Sequence, residues 1–97
     1  MDRIIFHLKR FWPIGNTTVD LYEKIKAGKK TTEWRDNTEY WRNRLGIDGN
    51  RPRPAKAWFV VGYPRDMLPR LEADIIGVHI DDDQIGILFN NVKEIIE

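Results

Sequence analysis

The residues best suited to chemistry lie in one short stretch, GKKTTEWR, which runs from Gly28 to Arg35. Lys30, Glu33 and Arg35 place an amine, a carboxylate and a guanidinium close together in the chain. Lys30 could act as a base, and Glu33 could orient it or activate water. Arg35 could hold a phosphate or a carbonyl with two donors. If the protein is an enzyme, we expect Lys30 and Glu33 to be catalytic residues, and in either case we expect Gly28 and Arg35 to bind the ligand.

The stretch from Thr31 to Arg35 alternates and is rich in strand-forming residues, which predicts a β-strand. In such a strand Thr31 shares a face with Glu33 and Arg35, and with an adjacent base it could be a catalytic nucleophile. Two interpretations stay open. In one, Trp34 is buried in the core and Glu33 and Arg35 form an exposed pair worth about 1 kcal/mol or less. In the other, the charged face is the floor of a binding site.

A short helix is predicted after this strand, from Glu39 to Leu45, and it carries aromatic and basic residues. Tyr40, Trp41, Arg42 and Arg44 interleave rings with guanidinium groups. Rings suit the stacking of a nucleobase, and arginines suit a phosphate held nearby. We therefore expect these four residues to bind a ligand.

The elements around these residues predict an α+β fold, a small β-barrel of about five to six strands with two helices. A barrel removes the exposed edges that a short run of strands would otherwise leave. We expect one domain spanning residues 1–97. The predicted elements are a strand at 4–9, a loop at 11–16, a helix from a cap at Thr17 or Thr18 to Gly28, a strand at 31–35, a helix at 39–45, strands at 56–61, 71–80 and 85–89, and, after a bulge at Asn90–Asn91, a last strand at 92–96, with a short helix as the alternative.

The composition argues against several classes of protein. The chain has 97 residues and no cysteine, so it forms no disulfide and offers no thiolate. No apolar run approaches the roughly 20 residues that span a bilayer, and no signal peptide is visible. We therefore expect a cytoplasmic protein without membrane association. His7 and His79 stand alone, without the spacing of a zinc motif, so we expect no metal ion and no cofactor.

The charges are distributed unevenly along the chain. Residues 1–56 carry 13 Lys and Arg against 7 Asp and Glu, whereas residues 57–97 carry 3 against 8. A basic half can attract phosphates, because the local charge sets the field. The fold could equally intermix the two halves, and the sequence leaves both outcomes open.

Gly28, Lys30, Glu33 and Arg35 match, in order and spacing, the G-x-K-x-x-E-x-R signature of the ASCH domain family, which belongs to the PUA-like superfamily of small β-barrels. The preceding residues are also similar, with a strand followed by a helix that ends at the glycine. The continuation after Arg35 resembles a subgroup common in bacteriophage and bacterial genomes, in which a Tyr-Trp pair and a basic helix follow the arginine. The resemblance covers residues 4–45.

This resemblance implies a PUA-like barrel with a cleft lined by the signature residues, and RNA or another nucleic acid as the partner. Some family members are described as hydrolases, one branch acting on acetylcytidine as an amidohydrolase and another having ribonuclease activity. The amidohydrolase branch is described with a lysine of the motif, a threonine three positions after it and a distant glutamate. Lys30 matches that lysine, whereas Glu33 occupies the threonine position, with Thr31 and Thr32 nearby. This departure favours a different hydrolysis or binding alone.

Three functions remain as hypotheses from the sequence. The leading one is the binding of RNA or a modified nucleoside in a basic cleft. The first alternative is a small hydrolase, a nucleoside amidohydrolase or a ribonuclease, that uses Lys30 and Glu33. The second alternative is a protein-interaction module, possible for a phage-encoded chain, whose exposed aromatic residues bind a polypeptide.

Overall fold

A computed structural model describes residues 2–97. These residues form seven strands and two helices. The elements are β1 (Arg3–Leu8), β2 (Phe11–Ile14), β3 (Thr17–Asp20), α1 (Leu21–Lys26), β4 (Thr32–Asp36), α2 (Glu39–Leu45), β5 (Lys56–Val61), β6 (Arg70–Ile80) and β7 (Gln84–Ile95).

One sheet of five strands, in the order β1-β5-β6-β7-β4, curls into a half-barrel. β1 runs parallel to β5, and the other neighbouring strands are antiparallel. β1 and β4 are the two edges of this sheet, while β2 and β3 form a separate hairpin. The predictions of an α+β class and of a small barrel-like fold with two helices are therefore confirmed.

Apolar side chains from the inner face of the sheet form the core. Alternation along β1 buries every second side chain, as expected for a strand with one face inward. Phe59 is fully buried and stacks on Phe6, with ring centroids 5.5 Å apart, and its ring packs at a tilt against Phe89, with centroids 4.8 Å apart. Ile25 of α1 and Leu45 of α2 are also fully buried, so both helices pack against the sheet.

The segment between β1 and α1 differs from the prediction of a loop followed by a helix capped by Thr17 or Thr18. The β2–β3 hairpin occupies this segment, and α1 begins only after it, with Asp20 as the N-cap. The β-branched run of Thr17, Thr18 and Val19 favours a strand over a helix. Gly15, with φ of 60°, lies in the two-residue turn of the hairpin and adopts the left-handed conformation that such turns need.

The C-terminal segment is a strand, and the helical alternative is wrong. β7 covers both segments that were predicted as strands and pairs with β6 along nearly its whole length. The pairing register shifts partway along, where Asn91 has φ of 56°. The predicted bulge is therefore confirmed but lies one residue later than Asn90–Asn91, because Asn90 pairs with Asp74 and the unpaired residues are Asn91 and Val92.

Trp34 is not the buried anchor that one interpretation of its strand predicted. Its side chain lies on the outer face of β4 and is 47% exposed, whereas Glu33 is 4% exposed. The Trp34 ring covers Gly86, its cross-strand partner on β7. Because Gly86 has no side chain, it leaves room for the ring outside the barrel, and the face that carries Glu33 and Arg35 turns inward.

We expect Gly86→Ala to lower the free energy of unfolding by about 1 kcal/mol, the low end of the cost of overpacking. A Cβ atom at this position would lie 2.8 Å from the Trp34 ring, which is half exposed and can partly give way. Gly77→Ala in β6 is the matched control, because a Cβ atom there meets nothing within 4 Å. Urea denaturation measures both variants, and equal stabilities would contradict this packing of Trp34 on Gly86.

Candidate functional site

The two edges of the half-barrel face each other across a seam, which the Arg35 side chain bridges. The guanidinium carbon of Arg35, on β4, lies 5.1 Å from the ring centroid of Phe6 on β1 and 5.0 Å from the ring of Trp41 in α2. The Phe6 and Trp41 rings stack with centroids 5.5 Å apart. Arg35 therefore makes cation–π contacts with both rings, and such contacts are favourable for a guanidinium.

Glu33 is buried and joins two cations. Its Oε1 accepts a hydrogen bond from Lys30 Nζ at 2.7 Å, and its Oε2 lies 2.8 Å from Arg35 Nη2. A carboxylate out of contact with water needs partners of this kind, because its burial is otherwise costly. Both carboxylate oxygens are thus engaged, and Glu33 fixes the positions of Lys30 and Arg35.

A cleft of about 440 Å³ opens at this seam, and we call it the seam cleft. Its walls come from β1, β4 and the β2–β3 hairpin, together with the start of α1. The lining residues are His7, Leu8, Lys9, Trp12, Ile14, Val19, Leu21, Lys30, Glu33, Trp34 and Arg35. Three of the four signature residues therefore lie in one cleft.

The hairpin wall supplies residues that the sequence did not single out for binding. Trp12 is 46% exposed, and Val19 lies opposite it in the hairpin register. Lys9 Nζ lies 4.8 Å from the centroid of the Trp12 ring. The alternation of Trp12 and Ile14 along β2 was the available signal. Pro13 and Gly15 are more typical of a loop, and in the sequence they outweigh this signal.

The hairpin is fastened to α1 by Arg10 and Asp20. Arg10 Nε and Nη2 both donate to the Asp20 carboxylate, at 3.1 to 3.2 Å. Asp20 also accepts from the backbone N–H of Glu23, which caps α1. The hydrogen bond from Arg10 holds the pKa of Asp20 below its ordinary value of 3.8. This carboxylate therefore positions one wall of the seam cleft.

The lowered pKa of Asp20 predicts a specific loss of stability in acid. A carboxyl group whose pKa is depressed on folding stabilises the protein above its unfolded pKa, here 3.8, and loses that contribution as the pH falls through its folded pKa. We expect Asp20→Asn to be less stable than the wild type at about pH 6, with the difference shrinking below about pH 4. Urea denaturation across this range checks it. A difference that stays constant down to about pH 2 would contradict the Arg10–Asp20 linkage.

The residues predicted on α2 do not share one site. Trp41 lies under Arg35 and packs against the core. Arg42 donates to Asp48, which follows α2, and through Nη1 to Asn37, which precedes it. Its guanidinium therefore links the two chain segments that flank the helix. Tyr40 and Arg44 line a different groove, beyond the seam cleft.

Gly28 and Thr31 also lie outside the seam cleft. Gly28, with φ of 75°, terminates the turn after α1, and its N–H donates to Ile25 O at 3.1 Å. Gly28 and Thr31 instead line a groove of about 340 Å³ beside Asn90, which Lys30 also lines. Thr31 precedes the first residue of β4 and does not line the seam cleft with Glu33.

The fold intermixes part of the uneven charge along the chain. Lys26 and Glu94 pair at 3.0 Å, and Lys56 pairs with Asp74, so both contacts join the basic half to the acidic half. The seam cleft nevertheless keeps a local positive excess, since three cationic side chains and one acid are among its lining residues within 2–97.

Within residues 2–97, no group of three or more His, Cys, Asp or Glu side chains could hold a metal ion. In the same part of the chain, no helix is long and apolar enough to cross a membrane.

The sequence matches no protein-family model, and neither a curated protein nor a solved structure matches the chain. The geometry of the seam cleft and the pattern of the sequence therefore carry the functional argument.

Proposed function

We propose that this chain is an ASCH-like domain of the PUA-like type whose seam cleft binds RNA or a modified nucleoside. The observation that carries the proposal is the convergence of Lys30, Glu33 and Arg35 in one cleft, where Glu33 is buried between the two cations. If these three residues formed only a surface ion-pair group, the carboxylate would be expected to stay exposed to water.

The seam cleft has a size and a surface suited to one nucleoside. Its volume of about 440 Å³ falls in the range of roughly 300–1,000 Å³ that is typical of small-molecule sites. Trp12 offers an exposed ring on which a base can stack, beside the apolar side chains of Ile14 and Val19. Stacking tolerates base modification, because every base has a π-face.

Lys30 and Arg35 supply donors for the polar edge of the ligand. Because Glu33 already holds both cations, little side-chain entropy is lost when they engage a ligand. The Arg35 guanidinium has more N–H donors than its pairing with Glu33 uses, so it can also donate to a phosphate or a base carbonyl.

Titration with single-stranded RNA and with a panel of nucleosides, including acetylcytidine, tests the proposal. We expect the wild type to bind at low salt and Arg35→Ala to bind roughly tenfold more weakly or worse, since a hydrogen bond to a charged group contributes about 1.5–3 kcal/mol. Arg65→Ala is the matched control, because Arg65 is exposed and lies outside the seam cleft. Absence of binding by the wild type, or equal binding by Arg35→Ala, would refute the proposal.

Hydrolysis is the second candidate, and the contact between Lys30 Nζ and Glu33 Oε1 at 2.7 Å favours it. A paired amine and carboxylate inside a cleft can position water for attack on an amide or a phosphodiester. This alternative requires release of acetate from acetylcytidine, or cleavage of labelled RNA, that disappears in Lys30→Ala. If these substrates bind but are not hydrolysed, the chain is a binding domain and not a hydrolase.

A further inference from the structure

A second concave surface adjoins the seam cleft, and we call it the basic groove. It encloses about 410 Å³ and is formed by β1, α2, the loop before β5 and the turn after β5. The residues that matter for its chemistry are Arg3, His7, Tyr40, Arg44, Arg51 and Tyr63.

The positive charge of the basic groove is uncompensated. Within residues 2–97, Arg3, Arg44 and Arg51 form no ion pair, and no Asp or Glu lines the groove. In the same part of the chain, Arg3 Nε is buried without a hydrogen-bond partner. Three guanidinium groups without counter-ions attract an anionic ligand, and their forks suit phosphates.

Exposed aromatic rings alternate with these arginines. Tyr63 is 83% exposed and Tyr40 is 56% exposed. The Arg44 guanidinium carbon lies 4.4 Å from the Tyr40 ring centroid. The His7 and Tyr63 rings stack with centroids 4.1 Å apart, and His7 Nδ1 lies 2.7 Å from Gly62 O, which fixes the histidine. Such platforms beside cations are what a single nucleic-acid strand needs.

His7 connects the two surfaces, because it lines both the seam cleft and the basic groove. We propose that the basic groove binds the backbone and a flanking base of a single-stranded RNA whose neighbouring base occupies the seam cleft. This inference rests on the proposed function of the seam cleft, and it specifies an oligonucleotide rather than a free nucleoside as the ligand.

The rings favour RNA over an acidic polypeptide as the occupant. An acidic peptide would use the arginines but would leave the exposed ring surfaces of Tyr40 and Tyr63 unused, whereas a nucleotide uses both kinds of group at once. An acidic polypeptide is therefore the competitor that the experiment must include.

The test compares an oligouridylate of about eight nucleotides, within the range of about 4–16 for single-strand sites, with uridine 5′-monophosphate and poly-glutamate. The groove variant is Arg44→Ala with Arg51→Ala. Its matched control is Lys24→Ala with Arg65→Ala, two exposed cations outside both surfaces. Tyr63→Ala provides a second groove variant that keeps the charge. Circular dichroism verifies that each variant is folded.

We expect the double groove variant to bind oligouridylate roughly tenfold more weakly, with the slope of log affinity against log salt reduced by about 1.4, or 0.7 for each lost phosphate contact. Its affinity for uridine 5′-monophosphate should match that of the wild type and the control. Tyr63→Ala should weaken oligouridylate binding without changing the salt slope. Arg35→Ala should lose both ligands.

The opposing outcomes separate this inference from the proposed function. If the groove variant binds oligouridylate like the wild type while Arg35→Ala does not, the groove inference fails and the seam cleft stands. If the wild type binds neither oligouridylate nor uridine 5′-monophosphate at low salt, the proposed function fails and the inference fails with it. The same conclusion follows if the groove variant loses oligouridylate binding while Arg35→Ala keeps it. Tighter binding of poly-glutamate through the same arginines would overturn the inference in favour of a polypeptide.

Discussion

Replacing Phe6 by alanine is expected to lower the free energy of unfolding by about 3–5 kcal/mol, as is typical for a buried phenyl ring. Phe6 is fully buried and stacks on Phe59 and Trp41, so its loss leaves a cavity between the sheet and α2. This cost is a large share of the roughly 5–15 kcal/mol that stabilises a typical domain. Arg35 also loses one of its two cation–π contacts, so the seam cleft is disturbed together with the core.

The matched control is Phe11→Ala, since Phe11 lies on β2 and is 53% exposed. We expect its stability to stay within about 0.5 kcal/mol of the wild type, as for most surface substitutions. Phe6→Leu separates the two roles of Phe6, because it keeps most of the volume but removes the ring under Arg35. Urea denaturation compares the three variants, and a similar loss for Phe6→Ala and Phe11→Ala would contradict the position of Phe6.

Replacing Glu33 by glutamine is expected to destabilise the protein by about 2 kcal/mol, less than the roughly 3–5 kcal/mol typical of breaking a buried ion pair. The reduction reflects the partial exposure of Lys30 and Arg35, which water can solvate when the carboxylate is gone. Glutamine keeps the shape of the side chain but not its charge. Arg35 then loses its orientation, so ligand binding should weaken together with stability.

Glu39→Gln is the control for the charge change alone. Glu39 is exposed in the first turn of α2, where a negative charge contributes about 0.5 kcal/mol to a helix. Urea denaturation and the nucleoside titration are run on both variants. If Glu33→Gln costs no more stability than Glu39→Gln, Glu33 is not the buried link between two cations.

The alternation of residues 31–35 was sufficient to group Glu33 with Arg35 and to oppose them to Trp34. It was not sufficient to show which face turns inward, because that depends on the strand across the sheet. Gly86 on β7 makes space for the tryptophan ring outside. On the inner face, Lys30 and Arg35 pair with the Glu33 carboxylate and compensate for the cost of burying its charge. Both contacts join residues whose pairing the local pattern does not specify.

The same limit applies to α2 and the hairpin. The sequence placed Tyr40, Trp41, Arg42 and Arg44 on one short helix, but successive helical side chains point in different directions, so these residues divide among the core, a helix-end ion pair and the basic groove. The sequence predicts a loop around Trp12, because turn residues are more prominent there than the β-branched run that pairs with β2.

Mapping of a bound nucleotide by NMR tests the central claim most directly. Amide and indole N–H shifts are followed while the tightest-binding nucleoside of the panel, as its monophosphate, is added to the wild-type protein. Binding in the seam cleft predicts that the largest shifts fall on residues 7–9 and 30–35 and on the Trp12 indole, and that they are lost in Arg35→Ala. Shifts confined to other surfaces, or no shifts at millimolar nucleotide, would contradict it.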